Sequence, residues 1–355
     1  MSKHQILSSF RFEDLPNEVI LKVLKNLDIK DVLRCGLVSK QIRTISRDES
    51  IWEKINLYHK EGLKVPIEFL QLVLDSGCKY LSLQNVKVVH RNTGLQLKNA
   101  SKLRYLNLAF IKSEPKEIED ESDPTDIEEI LASCKSLQKL NMDRLCLTPS
   151  MIESICAQNS QTLKVLSLRR CVGLDLQCIK QILKDCAMLK EIELSTFYWS
   201  LTENELTYLA NNLPLGIEKL HLCGNELSDE NLIALVTRCQ NLKSLILAFE
   251  KGITDASLTA IIRNLKHSLE ELELRMTSGV TSAKVLELRS LEKLKTFNCP
   301  YLLSGFNQDE IQALRNTLPI NENVCYYPLG DSNPENGIWE IKTKQLKIFY
   351  EKEVV

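Results

Sequence analysis

Twelve cysteines and five histidines are the residues of this chain that could act as nucleophiles or bind a metal. Zinc sites and redox pairs commonly place two cysteines two residues apart, and this sequence contains no Cys-x-x-Cys pair. Its histidines are scattered and stand in no pattern with serine or cysteine that catalysis would need. They are His4, His59, His90, His221 and His267. No glycine-rich phosphate loop is present. We therefore expect no metal, no cofactor and a non-catalytic chain.

Three of the cysteines, Cys134, Cys186 and Cys239, each lie three residues before a leucine that opens a repeated pattern. Equivalent positions in equivalent segments favour a shared packing role over a catalytic or metal role. The chain is long and begins with no apolar run of signal-peptide length, so a disulfide framework is not expected. The sequence predicts reduced thiols, most of them buried.

The repeated pattern is Leu-x-x-Leu-x-Leu, and its steps mostly fall within the roughly 20 to 29 residues that are typical of leucine-rich repeats. Its central position recurs at Leu81, Leu106, Leu140, Leu166, Ile192, Leu220, Leu245, Leu272 and Leu294. Apolar residues then recur at intervals of three and four, as in Leu232, Leu235 and Val236, which predicts a helix after each strand. The fold class that follows is an α/β solenoid: a curved arc with parallel strands on its concave side and helices on its convex side.

One step of the repeat is too long. Residues 114–129 lie between Leu106 and Leu140. They are rich in Asp and Glu, and their single basic residue is Lys116. It is either an acidic docking loop or a solvated insertion at the rim of the array, and the second interpretation is the simpler one. The sequence leaves its role open.

The N-terminal segment from Phe12 to Leu57 differs in kind from the repeats. Leu15 and Pro16 open a stretch whose apolar residues keep helical spacing, and two shorter helical patterns follow before Trp52. Three small helices of roughly 45 residues lie near the lower size limit for independent stability. We therefore expect part of their apolar surface to be covered by a partner.

Charge and hydropathy exclude two classes of partner. The 355 residues carry 45 basic and 47 acidic side chains, for a net charge of −2 at pH 7, so no field of one sign is available to hold nucleic acid or an anionic membrane. No window approaches the roughly 18 apolar residues that a membrane span requires. We expect the protein in the nucleus and cytoplasm.

The N-terminal residues resemble an F-box: Leu15-Pro16-x-Glu18, Leu24, Leu27, Asp31-Val32-Leu33, Val38-Ser39-Lys40 and Trp52. An F-box inserts into a hydrophobic surface of a Skp-type adaptor, which tethers it to a cullin scaffold and a RING subunit. The resemblance assigns adaptor contact to Leu15, Pro16, Glu18, Ile20, Leu21, Leu24, Val32, Leu33, Val38, Ser39 and Lys40. Where many F-boxes carry an aromatic residue this chain has Ile42, which predicts thinner packing of the third helix.

The order of modules is similar to that of F-box/leucine-rich-repeat receptors of the S-phase kinase-associated type. The resemblance divides the chain into an F-box (10–57), leucine-rich repeats (58–320) and a C-terminal tail (321–355) that folds back on the repeats and contains Trp339. It also implies a small cyclin-kinase regulatory subunit as a partner. The aromatic and acidic residues that would accompany that subunit should fall at Thr196 and Phe249, where this chain departs from the family.

Residues that alternate with the buried leucines should face the concave groove. Those predicted to contact a protein substrate are Arg169, Glu191, Glu193, Lys219, His221, Glu271, Glu273 and Arg275. The mixture of charges favours polar recognition of a protein, although a solvated face is the default for such side chains.

The resemblance implies a substrate-recognition subunit of a Skp adaptor, cullin and F-box (SCF) ubiquitin ligase, which would recruit a cell-cycle or other regulatory protein, phosphorylated or not. Two alternatives stay open from the residues alone. One is a leucine-rich-repeat scaffold that binds proteins outside the ubiquitin system. The other is an enzyme, whose sign would be a single accessible cysteine with a depressed pKa.

Overall fold

A computed structural model describes residues 11–58, 63–89, 97–98, 100–111, 125–195, 201–224, 227–250, 252–275, 279–299 and 305–320. The chain divides between Ser136 and Leu137 into two compact units, named unit 1 and unit 2. This division lies inside the range 58–320 that the sequence treats as one array. Among the described residues, no helix is both long and apolar enough to cross a membrane.

Unit 1 begins with a cluster of short helices. They are α1 (Asn17–Leu24), α2 (Ile29–Cys35), α3 (Lys40–Ser46) and α4 (Glu49–Trp52). Asp28 caps α2 by accepting a hydrogen bond from the backbone of Asp31 at 2.8 Å, and Ser39 caps α3. Each cap satisfies a backbone N–H that the first helical turn leaves without a partner. The local sequence thus fixes where these helices start.

The helical cluster runs directly into the first repeats of unit 1. Their elements are β1 (Lys54–Asn56), β2 (Leu63–Pro66), α5 (Ile67–Asp75), β3 (Tyr80–Ser82), β4 (Val86–Val89), β5 (Tyr105–Asn107) and α6 (Thr125–Ser133). Strands β1, β3 and β5 pair in parallel, and β2 pairs in parallel with β4. The register matches Ile55 with Leu81 and Leu81 with Leu106, and all three are buried.

Unit 2 continues the alternation of strand and helix. Its strands are β6 (Lys139–Asn141), β7 (Val165–Ser167), β8 (Glu191–Ser195), β9 (Lys219–Cys223), β10 (Ser244–Ala248), β11 (Glu271–Arg275) and β12 (Thr296–Asn298). Its helices are α7 (Pro149–Asn159), α8 (Leu176–Asp185), α9 (Glu203–Asn212), α10 (Asp229–Arg238), α11 (Asp255–Leu265), α12 (Ser282–Leu286) and α13 (Gln308–Thr317). Each strand pairs in parallel with the strand of the next repeat.

The two sides of unit 2 differ in spacing. Paired strands lie about 4.8 Å apart, whereas packed helices lie about 8 to 10 Å apart. Because each repeat contributes one strand and one helix, the strand side of the stack is the shorter side. The strand face of unit 2 is therefore the concave one, as the repeat pattern predicts.

Three helices of unit 2 start at residues whose side chains cap the first turn. Thr202 and Glu205 form a reciprocal capping box at the start of α9, and Thr148 caps α7 with Pro149 in its first turn. Thr254 caps α11. Each of these three helices thus starts at a residue type that the first helical turn favours.

Three features of the array differ from the sequence prediction. A repeat strand precedes Leu81, since β1 lies within the range 10–57 assigned to the F-box. The last central position is Phe297 instead of Leu294, because Phe297 pairs with Leu272 and is fully buried. The acidic stretch 114–129 ends in a helix: α6 starts at Thr125 and buries Ile127. Residues 112–124 lie outside the described residues.

Candidate functional site

Exposed apolar side chains concentrate in the helical cluster at the start of unit 1. Of the large apolar residues in the described chain, six are exposed within residues 12–38 and five in all the rest. The six are Phe12, Val19, Val23, Leu33, Leu37 and Val38. Large apolar side chains that are exposed in such number within one short segment favour a binding surface. We name these six residues the apolar patch.

Helix α1 carries two apolar stripes. Ile20 and Leu24 lie four residues apart on the side that faces the core, and both are fully buried. Val19 and Val23 have the same spacing on another side of the helix and are exposed. A surface helix normally keeps a polar face toward solvent. The second stripe of α1 therefore suits contact with a partner.

The turn between α2 and α3 holds the most exposed members of the patch. Leu37 keeps 76% of its surface accessible and Val38 keeps 68%. Gly36 precedes them, and a Cβ atom at that position would come within 2.9 Å of Ser46 Oγ. The chain is thus packed tightly just before the exposed pair, and only glycine fits there without a shift.

Two hydrogen bonds hold the ends of the same turn. Arg43 Nε donates to the Gly36 carbonyl at 3.0 Å, and the backbone N–H of Ile42 donates to Ser39 Oγ at 3.2 Å. A loop fixed before binding loses less conformational entropy when it binds. Leu37 and Val38 are therefore presented on a preorganised turn.

The structure divides the predicted adaptor contacts into three groups. Exposed residues are Pro16, Glu18, Leu33, Val38 and Lys40, and half-buried ones are Leu15, Leu21 and Ser39. The side chains of Ile20, Leu24 and Val32 are fully buried, so the prediction that they contact an adaptor is corrected: they fill the core that shapes the patch. The sequence missed Phe12, Val19, Val23 and Leu37.

Contacts after α3 join the helical cluster to the repeats of unit 1. Trp52 is buried and donates its indole N–H to the Ser46 carbonyl at 2.7 Å. Glu49 forms ion pairs with Lys102 at 2.9 Å and Lys79 at 3.5 Å, and the hydrogen bond from Lys102 lowers the pKa of the Glu49 carboxyl. The helical cluster is therefore anchored on the first repeats.

Two tyrosines lie side by side on the strand face of unit 1. The rings of Tyr80 and Tyr105 stack with centroids 4.3 Å apart, and the Lys54 ammonium lies 5.0 Å from the Tyr80 centroid. These residues hold equivalent positions on β1, β3 and β5. Amphipathic aromatic side chains on an open face suit protein recognition. The repeat pattern did not predict β1, the strand that brings Lys54 beside the tyrosines.

The strand face of unit 2 carries the predicted substrate residues in a more enclosed setting. Glu191 pairs with Lys219 at 3.4 Å, and Glu271 accepts a hydrogen bond from Ser244 at 2.7 Å. Three other predicted residues are buried, namely Glu193, His221 and Glu273. The prediction that these three side chains lie open to a substrate is corrected. The Arg275 side chain and Trp339 lie outside the described residues.

A buried polar cluster explains part of this enclosure. Arg169 Nη2 lies 2.7 Å from Asp143 Oδ2, and Arg169 Nε lies 3.2 Å from Glu193 Oε2. Ser167 Oγ lies 2.5 Å from Asp143 Oδ1 and 2.7 Å from Glu193 Oε2. The sequence did not predict a role for Asp143, because Asp143 lies beyond the end of β6. Outside a strand, the alternation of buried and exposed residues no longer shows which side of the sheet a residue faces.

The two carboxyl groups of this cluster share the hydroxyl of Ser167. A serine hydroxyl has one proton, so it can donate to only one of the two carboxylates that contact it. Burial raises the pKa of Glu193, and this effect outweighs the nearby Arg169 guanidinium. The cluster therefore favours the protonated form of Glu193 more than water does.

Most cysteines in the described repeats are buried and behave as packing residues. Cys134, Cys186 and Cys239 are buried, which confirms the prediction from their equivalent positions. Burial raises the pKa of the Cys78, Cys134 and Cys171 thiols to about 12. Thiols with raised pKa values are poor nucleophiles at neutral pH. Within the described ranges, no group of His, Cys, Asp and Glu side chains is arranged to hold a metal ion.

Comparison with known proteins identifies the helical cluster. Residues 12–58 match the family model described as F-box-like, so they form an F-box-like domain. The chain is also similar to the leucine-rich repeat-containing protein LegL7 from Legionella pneumophila, with 15% identity over 75% of this chain and 88% of that chain and a TM-score of 0.39. It is similar to the Rad7 and Elc1 complex in yeast, with 13% identity over 91% of this chain and 88% of that chain and a TM-score of 0.45. An F-box with leucine-rich repeats is an architecture typical of non-catalytic adaptor or receptor proteins.

Proposed function

We propose that this F-box protein is the substrate-recognition subunit of an SCF ubiquitin ligase. The F-box would bind a Skp-type adaptor, and through it a cullin and a RING subunit. The leucine-rich repeats would hold a protein substrate. The chain would contribute proximity, since a substrate held beside the ligase presents its lysines at high effective concentration.

The apolar patch is the observation that carries this proposal. It lies within the F-box-like domain, and its residues are exposed although the core of the same domain is filled by Ile20, Leu24 and Val32. The domain folds without using these side chains, so their exposure calls for a partner. Burial of a Leu or Val side chain contributes about 1.5 to 3 kcal/mol, which makes the patch large enough to support stable association.

The strand faces support the second half of the proposal. The stacked tyrosines of unit 1 and the paired charges of unit 2 present aromatic and polar groups that recognise proteins. A cell-cycle substrate, a small cyclin-kinase regulatory subunit and a location in the nucleus and cytoplasm are further parts of the proposal. They rest on the resemblance alone.

The test introduces charge at the two most exposed patch residues. Leu37→Asp combined with Val38→Asp places carboxylates where no core packing is lost, so the chain should stay folded. We expect affinity for a purified Skp-type adaptor, measured by calorimetry, to fall at least about 100-fold, since residues central to an interface commonly contribute 2 kcal/mol or more each.

Leu215→Asp is the matched control. Leu215 lies in unit 2 and is 61% exposed, so this variant adds an equally exposed carboxylate away from the patch. It should bind the adaptor as the wild type does. Retained adaptor binding by the Leu37 and Val38 double variant would overturn the proposal. A substitution at buried Leu24 would be uninformative, because it would unfold the domain.

A further inference from the structure

Two buried thiols from neighbouring repeats of unit 2 face each other. Cys156 lies on α7 and Cys186 is the residue that follows α8, and their Sγ atoms are 4.0 Å apart. Both cysteines are free, and each exposes 2% of its surface or less. They are 30 residues apart in the chain and lie on two helices that pack against each other. The two thiols therefore form a contact between repeats.

The equivalent positions in the following repeats lack this pairing. Cys156 lies four residues before the C-terminal cap of its helix, and its carbonyl accepts a hydrogen bond from the backbone N–H of that cap. The residues at this position in α8, α9 and α10 are all aliphatic, namely Ile182, Leu209 and Leu235. Cys239 caps α10 as Cys186 caps α8, but the preceding helix carries Leu209 at the place of Cys156. Of the three interfaces from α7 to α10, the first alone brings two thiols together at these positions.

The distance between the two sulfur atoms is short enough for a disulfide to form. A disulfide holds its sulfur atoms about 2 Å apart, so the two Sγ atoms must approach by about 2 Å. A change of rotamer about a Cα–Cβ bond moves a sulfur atom that far without a shift of the backbone. The bond would link adjacent repeats and would restrict the unfolded chain more than the folded one.

Cys186 is the thiol that an oxidant reaches first. It lies at the end of α8, directly before Ala187 and Met188, which are both exposed. Helix ends open at a small free-energy cost compared with global unfolding. Hydrogen bonding with Cys156 lowers the pKa of the Cys186 thiol, whereas the same contact and burial raise the pKa of Cys156. Because the thiolate is the reactive form, Cys186 is also the better nucleophile of the two.

We propose that Cys156 and Cys186 are a redox site that a hydroperoxide converts to a disulfide. The Cys186 thiolate attacks one peroxide oxygen, the O–O bond breaks, and Cys186 becomes a sulfenic acid while an alcohol, or water from hydrogen peroxide, leaves. The Cys156 sulfur then loses its proton, attacks the Cys186 sulfur and displaces hydroxide, which leaves as water. The two thiols lose two electrons, which reduce one hydroperoxide. The reaction depends on neither the adaptor nor a substrate.

Peptide mapping of the full chain by mass spectrometry tests the proposal. The folded protein is treated with hydrogen peroxide, its remaining thiols are blocked with N-ethylmaleimide in denaturant, and it is digested without reductant. We expect a peptide that joins Cys156 to Cys186 and that is lost when dithiothreitol is added. Cys239 should be recovered as a blocked thiol. Cys146 is exposed, so its oxidation reports that the peroxide has acted.

Cys156→Ala and Cys239→Ala are matched variants, because each removes one buried thiol from the same stack of repeats. Cys156→Ala should abolish the linked peptide and leave Cys186 as a sulfenic acid, which dimedone traps. Cys239→Ala should keep the linked peptide. The map of the wild type decides the outcome even where a variant fails to fold.

Two results would overturn the proposal. The first is oxidation of Cys146 at a peroxide concentration that leaves Cys156 and Cys186 as thiols. The second is a wild-type map in which Cys186 is linked to Cys178 or Cys239 instead. The thermal midpoint of the oxidised wild type should equal or exceed that of the reduced protein, and a lower midpoint would show that the native packing does not accommodate the bond. That result would count against the proposal as well.

Discussion

The F-box-like domain and the repeats of unit 2 differ in how far they bury their apolar side chains. In unit 2 the central residues of the strands, from Leu140 to Phe297, are buried almost completely, since each repeat covers its neighbour. In the F-box-like domain a complete small core coexists with the exposed apolar patch. The apolar side chains of the patch are therefore exposed although the F-box-like domain has a complete core of its own. The repeats of unit 2 bury their apolar side chains within the chain, whereas the F-box-like domain leaves part of its apolar surface exposed.

Substitution in the middle of a repeat should have the largest effect on stability. Leu220 is buried on β9 with repeats on both sides, and Leu220→Ala should lower the free energy of unfolding by about 2 to 5 kcal/mol. Leu37→Ala in the apolar patch should change it by less than about 0.5 kcal/mol. Urea denaturation of both variants measures this contrast. An equal loss of unfolding free energy in the two variants would show that Leu37 is part of the core. It would contradict the difference drawn here between the patch and the repeats.

Loss of a helix cap should have an intermediate effect. Ser39→Ala removes the cap of α3 and should cost about 1 kcal/mol, and it should also weaken adaptor binding because the Leu37 and Val38 turn loses one of its supports. Thr148→Ala removes the equivalent cap of α7 in unit 2 and is the matched control. Thr148→Ala should lower the free energy of unfolding by a similar amount and leave the affinity for the adaptor unchanged. Similar affinities for both variants would show that preorganisation of the turn does not matter.

The smallest expected effect is a pH dependence in the buried cluster of unit 2. The raised pKa of Glu193 means that the folded chain keeps a proton which the unfolded chain releases above the ordinary value of 4.5. Stability from this group is therefore lost as pH rises from 4.5 through the raised folded value. Glu193→Gln mimics the protonated acid, so its advantage over the wild type should grow across that window.

Denaturation curves of the wild type and the Gln variant at several pH values measure this difference. Carboxyl groups outside the cluster titrate equally in both proteins, so the comparison isolates Glu193 together with Asp143, which shares Ser167 and Arg169 with it. A constant difference across the window would indicate that Glu193 is ionised and paired with Arg169.

The sequence predicts the array well because its signal is periodic. The register of Leu140, Leu166 and Leu220 follows directly from the spacing of the pattern. Phe297 was missed because Leu291 and Leu294 mimic the pattern three residues too early. Strand β1 was missed because Trp52 and Ile55 stand at the first two leucine positions of the pattern and only Leu57 keeps a leucine.

Spacing alone did not predict which apolar residues of the F-box-like domain are exposed, for a physical reason. Helix α1 has apolar residues on two sides, and spacing alone does not say which side meets the core. Sequence reasoning therefore assigned Ile20 and Leu24 to the partner, whereas Val19 and Val23 are the exposed ones. The cluster around Glu193 depends on Asp143 from a neighbouring repeat, a contact that only the folded register creates.

Hydrogen exchange of the full chain with and without a Skp-type adaptor tests the central claim most directly. Adaptor binding should protect backbone amides between Phe12 and Val38, most strongly around the α2–α3 turn, and should leave the strands of unit 2 unchanged. Absence of added protection between Phe12 and Val38 at a saturating adaptor concentration would contradict the claim that a second protein covers the apolar patch.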